Sequence, residues 1–142
     1  MGIINLKTFD QIGMVVADVR KTASQWEAML GIGPWRFVNA DDPKIGVKTL
    51  VGLANMENGV VIELIQVLEG RIFHSEFIDS VGEGLHHIGF ASDDVEQDTD
   101  ALVAEGAEVV MHCPHAVSYI RFEGDGGAIT ELYRKPQPSK TD

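Results

Sequence analysis

Phe9-Asp10-Gln11-Ile12-Gly13-Met14-Val15-Val16-Ala17-Asp18-Val19 returns later in the chain as Leu85-His86-His87-Ile88-Gly89-Phe90-Ala91-Ser92-Asp93-Asp94-Val95, with Ile, Gly, Asp and Val at equivalent places. A second correspondence follows each copy. Asn58-Gly59-Val60-Val61-Ile62-Glu63-Leu64 matches Gly126-Gly127-Ala128-Ile129-Thr130-Glu131-Leu132, with Gly, Glu and Leu coinciding. Self-similarity of this kind means that one supersecondary unit is used twice. Each copy places a polar side chain with metal-binding capacity early (Gln11, His87) and a carboxylate late (Glu63, Glu131). Two such half-sites facing each other make one four-ligand site.

Reading outward from the repeat, the alternation of Ile12, Met14 and Val16 with Gly13, Val15 and Ala17 predicts a strand buried on both faces, ended by Asp18 as a helix N-cap. Val19, Ala23, Trp26 and Leu30 then form one apolar stripe, and Gly31 stands where a left-handed C-terminal residue is expected. In the second copy Asp94 is the cap, Gln97 sits at the capping-box position, and Val95, Thr99, Leu102 and Gly106 continue the stripe. Three β-rich runs follow each helix. They are Trp35 to Ala40, Gly46 to Asn55 and Gly59 to Val67 in the first copy, and Glu108 to His112, Ser118 to Glu123 and Ala128 to Arg134 in the second. Turns are predicted at Asp41-Asp42-Pro43, Glu57-Asn58-Gly59, Pro114-His115 and Gly124-Asp125-Gly126-Gly127. The class is therefore α+β, with two βαβββ modules, 9–67 and 85–134, joined by a short helix within 71–82 marked by Phe73, Phe77, Ile78 and Val81. The segment from Pro136 to Asp142 has too little apolar content to pack and is expected to be mobile.

A length of 142 residues suits a single domain with the two copies as its halves. The formal charge of −11, from 22 acidic against 11 basic residues, removes the basic face that nucleic acid requires. No apolar run is long enough to span a membrane, and the first residues carry neither a secretory signal pattern nor a myristoylation motif. A cytoplasmic protein without nucleic-acid or membrane partners is the expectation. Cys113 is the sole cysteine, which rules out an intrachain disulfide. It reads as a small half-buried thiol beside Pro114.

Gln11, Glu63, His87 and Glu131 offer an amide oxygen, two carboxylates and an imidazole nitrogen. Such an oxygen-rich set suits one divalent ion, zinc, cobalt, nickel, manganese or magnesium, with coordination positions left for water or substrate. Glu63 and Glu131 each interrupt an apolar strand, where an inward carboxylate has to be paired, protonated or bound to a cation. Thiolates for a closed zinc site are absent. So is the two-histidine, one-carboxylate set of non-haem iron oxygenases, unless His86 or another histidine joins.

At these positions the chain resembles the vicinal oxygen chelate superfamily, which includes glyoxalase I, methylmalonyl-CoA epimerase, extradiol dioxygenases and bleomycin resistance proteins. The carriers are Gln11-Ile12-Gly13, Ile62-Glu63-Leu64-Ile65, Gly82-Glu83-Gly84-Leu85-His86-His87-Ile88-Gly89 and Gly127-Ala128-Ile129-Thr130-Glu131-Leu132. The resemblance implies paired βαβββ modules forming a U-shaped mixed-sheet cleft, with the metal held by Gln11, Glu63, His87 and Glu131. Within the superfamily, Glu63-Leu64-Ile65-Gln66, Phe77-Ile78 and the stretch from Gly82 to Ile88 look most like methylmalonyl-CoA epimerases. Two positions depart from that pattern. Gln11 stands where epimerases have His, and Thr49 stands where they carry a proton-abstracting Glu. The Gln/Glu/His/Glu set instead matches one glyoxalase I subgroup.

The resemblance implies metal-dependent enolisation of a small carbonyl or acyl-thioester substrate, with Glu131 as first base and Glu63 as second base or ligand. A glyoxalase-type lyase and a non-catalytic small-molecule binding or resistance protein are the alternatives. For substrate contacts, Trp35, Phe37, Met56, Tyr119 and Phe122 are candidate cleft aromatics and apolar groups, and Arg36, Lys44, Lys48 and Arg121 are the available cations. Thr49 occupies the epimerase base position, and His115 is a candidate second acid. His74 reads as surface. A homodimer is the expected assembly.

Overall fold

The computed structural model describes residues 2–6, 8–123 and 129–135, and its chain divides into two compact units. One unit comprises residues 10–88; the other comprises the residues up to 9 together with those from 89 onward. The glycine turn at Gly124 to Gly127, Ala128, and the segment from Pro136 lie outside the described residues.

In the first unit the chain runs through β1 (Gln11–Val15), α1 (Val19–Leu30), β2 (Arg36–Asp42), β3 (Val47–Asn55), β4 (Val61–Glu69) and α2 (Phe73–Ser80) into the start of β5 (Gly84–Ser92). Strand order is β2-β3-β4-β1, antiparallel except for β1, which lies parallel to β4. A parallel neighbour requires a long crossover, and α1, β2 and β3 supply it. The Asp18 carboxylate accepts the Lys21 N–H at 3.0 Å, and Gln66 Oε1 on β4 accepts the Val19 N–H at 2.9 Å, so two orphan donors of the helix start are satisfied. Gly31 adopts φ 68°, and the Gly31 and Ile32 N–H groups return to Glu27 and Trp26, a Schellman-type end as the sequence predicts. The apolar stripe seats Val19 and Ala23, both fully buried, against Val16 and Leu64, with Met14, Trp35, Phe37 and Leu50 around them. Leu30, the last residue of the predicted stripe, is instead exposed.

The expected turn beginning at Asp41 starts later. Asp41 and Asp42 still pair with Lys48 and Val47, and the Asp42 side chain accepts the Lys44 N–H at 3.0 Å, which tightens the reversal into residues 43–46.

The second unit holds the remainder of β5, α3 (Val95–Ala104), β6 (Glu108–Cys113), β7 (Val117–Arg121) and β8 (Ile129–Arg134), with strand order β8-β7-β6 and antiparallel pairing. Asp94 caps α3 through the Gln97 N–H at 3.0 Å, repeating the device of α1. The helix stops at Ala104, and Gly106, at φ 100°, begins the way out rather than extending the stripe. Leu102, Ile120 and Leu132 form the centre of this core, with Ile4, Leu6, Phe90, Ala107 and Phe122 packed on it. The two copies thus have the element order βαβββ that the repeat predicts, and the fold is the α+β, glyoxalase-like one that the resemblance implies. Cys113 is exposed rather than half-buried, because β6 ends there and the chain reverses through the Ala116 N–H to Cys113 carbonyl bond of 3.0 Å. No helix among the described residues is long and apolar enough to cross a membrane.

Candidate metal centre

The parallel register of β1 and β4 builds the centre. Gln11 is opposite Val61 and Gly13 is opposite Glu63, so Gln11, Gly13 and Glu63 share one face of the sheet. Gly13 leaves a gap between the two polar side chains, and the His87 ring lies in it: a Cβ on residue 13 would stand 2.1 Å from His87 Cε1 and 2.3 Å from Nε2. Three of the four predicted ligands therefore meet. Gln11 Nε2 donates to Glu63 Oε2 at 2.6 Å, and His87 Nε2 stands 3.5 Å from Glu63 Oε1. Two donors each roughly 2.1 Å from a common ion stand about 3.0–3.4 Å apart, so the gap between imidazole and carboxylate is close to that of a chelating pair. The Gln11 amide oxygen is left out of its bond to Glu63. One carboxylate, one amide oxygen and one imidazole fit a divalent cation on chemistry, and the imidazole–carboxylate pair fits it on spacing as well.

Glu131, the fourth predicted ligand, is 6% exposed on β8 of the second unit, where it is the register partner of Tyr119. Side chains of partners across antiparallel strands lie on one face, so these two predicted site residues are neighbours. Arg121 ends β7 exposed, opposite Glu108. His115 is exposed at φ 61°, its N–H donated to Glu96 Oε1 at 2.7 Å, and the same carboxylate oxygen lies 3.0 Å from His112 Nε2. In the first unit, Trp35 is half-buried edge-on to Trp26, with ring centroids 6.3 Å apart. Thr49 is buried, and its hydroxyl donates to the Ala40 carbonyl across the β2–β3 ladder.

His74 corrects the surface reading. It is 8% exposed, and the ligating atoms of His74, His86 and His87 all lie within 4.8 Å of one another. The signal was in the helix spacing, since His74 precedes Phe77 and Ile78 by three and four residues and so shares their face. Neither His74 nitrogen has a hydrogen-bond partner among the described residues. Burial first, and then the nearby His87, push its imidazole down from 6.5 to about 4. The sign follows from proton counting. Above pH 6.5 both folded and unfolded chains hold the ring neutral; between 6.5 and about 4 only the unfolded chain takes the proton, so stability falls as pH falls. The metal-free protein is expected to lose about 3 kcal/mol across that window. Urea titrations at pH 7 and pH 4.5 should therefore differ more for the wild type than for His74→Leu, and parallel changes in the two proteins would reject this origin.

Comparison with known proteins agrees with the fold. The chain belongs to the Glyoxalase/Bleomycin resistance protein/Dioxygenase superfamily, whose sequence pattern matches residues 10–122. The chain is 23% identical over 133 residues to the uncharacterized protein YqjC of Bacillus subtilis (strain 168), covering 89% of this chain and 91% of that one. Among solved structures, a variant of Streptomyces coelicolor methylmalonyl-CoA epimerase in complex with 2-nitronate-propionyl-CoA is similar at TM-score 0.72 and 22% identity, with 94% of this chain and 100% of that one covered. The Mycobacterium tuberculosis methylmalonyl-CoA epimerase is similar at TM-score 0.72 and 20% identity, covering 94% and 90%. The hypothetical protein BH1468 from Bacillus halodurans C-125 gives TM-score 0.72 at 21% identity, covering 94% and 97%. At such identities the likeness is one of fold.

Proposed function

We propose that this chain is a metal-dependent isomerase or lyase that forms the enolate of a small carbonyl or acyl-thioester substrate, in the manner of methylmalonyl-CoA epimerase. The observation that supports it best is the meeting of Gln11, Glu63 and His87 at the gap over Gly13. A divalent cation held by these donors, with Glu131 as fourth ligand, supplies Lewis acidity to a carbonyl and an adjacent oxygen when bound. Glu131 acts as the base: the α-proton passes to its carboxylate, and the C–H electron pair moves into the enolate. Inversion needs a different proton on the opposite face: Glu63, protonated from solvent, is the second carboxyl group able to deliver one to the enolate carbon, after which Glu131 returns the abstracted proton to solvent. Gln11 orients Glu63 through the 2.6 Å amide bond.

A binding protein that holds a small molecule without turning it over is favoured by one observation. Thr49 cannot replace a carboxylate base, and its hydroxyl is committed to the Ala40 carbonyl. The two readings separate in deuterated water with a divalent ion present. Wild type should wash deuterium into C2 of methylmalonyl-CoA, or into a hemithioacetal if the lyase alternative holds, and Glu131→Gln should slow the exchange about 100-fold or more. Exchange into neither substrate would leave the binding reading.

A further inference from the structure

Behind His87 stands a second imidazole that the proposed chemistry does not use. His86 Nδ1 and His87 Nδ1 are 2.9 Å apart, with the residues 2% and 0% exposed. A hydrogen bond between two ring nitrogens carries one proton, so one Nδ1 donates and the other accepts. His86 is gripped by the linking helix: Phe73 and Phe77 meet its ring edge-on at centroid distances of 4.8 and 5.1 Å, and His74 lies 4.6 Å away. On the other side, the 3.5 Å from His87 Nε2 to Glu63 Oε1 exceeds the roughly 2.8 Å at which a ring N–H rests on a carboxylate.

We propose that His86 is a positioning residue, whose Nδ1 accepts the Nδ1–H of His87 and so fixes the His87 tautomer with its Nε2 lone pair facing Glu63. The inference rests on the metal-site reading, since a lone pair at Nε2 is what a cation needs. It assigns α2 a task beyond joining the two copies: its aromatic face holds His86, and His86 holds the ligand. Ligating histidines in general depend on such an outer partner, whose removal weakens metal binding roughly 10- to 100-fold.

The test joins cobalt(II) affinity by calorimetry to nitrogen-15 NMR of the imidazoles in the metal-free protein. His86→Phe keeps the ring volume inside the aromatic cluster but removes the acceptor; its cobalt dissociation constant should rise at least 10-fold with the unfolding midpoint little changed. His86→Asn restores an acceptor oxygen near the lost Nδ1 and should return the constant to within about threefold of wild type. In the wild-type spectrum His87 should carry its proton on Nδ1. Unchanged affinity in His86→Phe, or a proton on His87 Nε2, overturns the proposal. Should the wild type bind no cobalt, the metal-site reading fails on its own, and the spectrum still decides the tautomer.

Discussion

Gly13→Ala is expected to destabilise the metal-free protein by about 3 kcal/mol and to weaken its divalent-metal binding at the same time. The added Cβ would lie 2.1, 2.3 and 2.6 Å from three atoms of the His87 ring, well inside van der Waals contact. Neither partner can yield cheaply. His87 is fully buried beside His86 and His74, and β1 is fixed by its parallel ladder to β4 between Gln11 and Val15. Rotating the imidazole out of the gap relieves the clash but carries Nε2 away from Glu63, and shifting β1 moves Gln11. Either relaxation dismantles the donor set. Urea denaturation monitored by circular dichroism measures the first effect and calorimetry the second. A wild-type midpoint together with wild-type metal affinity would mean that the His87 ring does not occupy the space over Gly13.

Glu63→Gln separates binding from stability. Of the three donors that meet in the first unit, Glu63 is the one anion, and the other two reach it, Gln11 at 2.6 Å and His87 at 3.5 Å. The amide keeps the size and one acceptor oxygen, so the bond from Gln11 survives in neutral form at a cost of about 1 kcal/mol. A divalent ion, however, loses its anionic ligand in this unit. Its dissociation constant is expected to rise about 100-fold or more, larger than the effect of losing an outer partner. If the variant unfolds at nearly the same urea concentration and binds metal as tightly as wild type, Glu63 is a structural carboxylate and the proposed chemistry loses its basis.

Much of this was legible in the sequence, and the reasons are physical. Asp18 and Asp94 are both N-caps because a carboxylate two or three residues before a free N–H is the cheapest way to satisfy a helix start, and that rule is local. Gly31 could be read in the same way, since the left-handed residue after a helix favours glycine. The pairing of Gln11 with Glu63 was readable only through the repeat, because nothing local joins residues so far apart. What stayed hidden depended on tertiary neighbours. The pattern presented Gly13 as a small residue in a buried strand, and its use as a seat for His87 appears only when β5 is set beside the gap. For His74 the spacing from Phe77 and Ile78 was the one signal, outweighed because a histidine on a short helix is ordinarily exposed, and the rings packed on it come from Phe73 of its own helix and from His86 and His87 of β5. The exposure of Cys113 follows from where β6 stops, a boundary that composition marks poorly.

The most direct measurement is the anomalous difference map of a crystal grown with cobalt(II) and collected at the cobalt absorption edge. The site described here predicts one strong peak about 2.0–2.3 Å from His87 Nε2, a Glu63 carboxylate oxygen and the Gln11 amide oxygen. A peak enclosed by His74, His86 and His87 with Glu63 still bonded only to Gln11, or no peak near Glu63 at saturating cobalt, would contradict it.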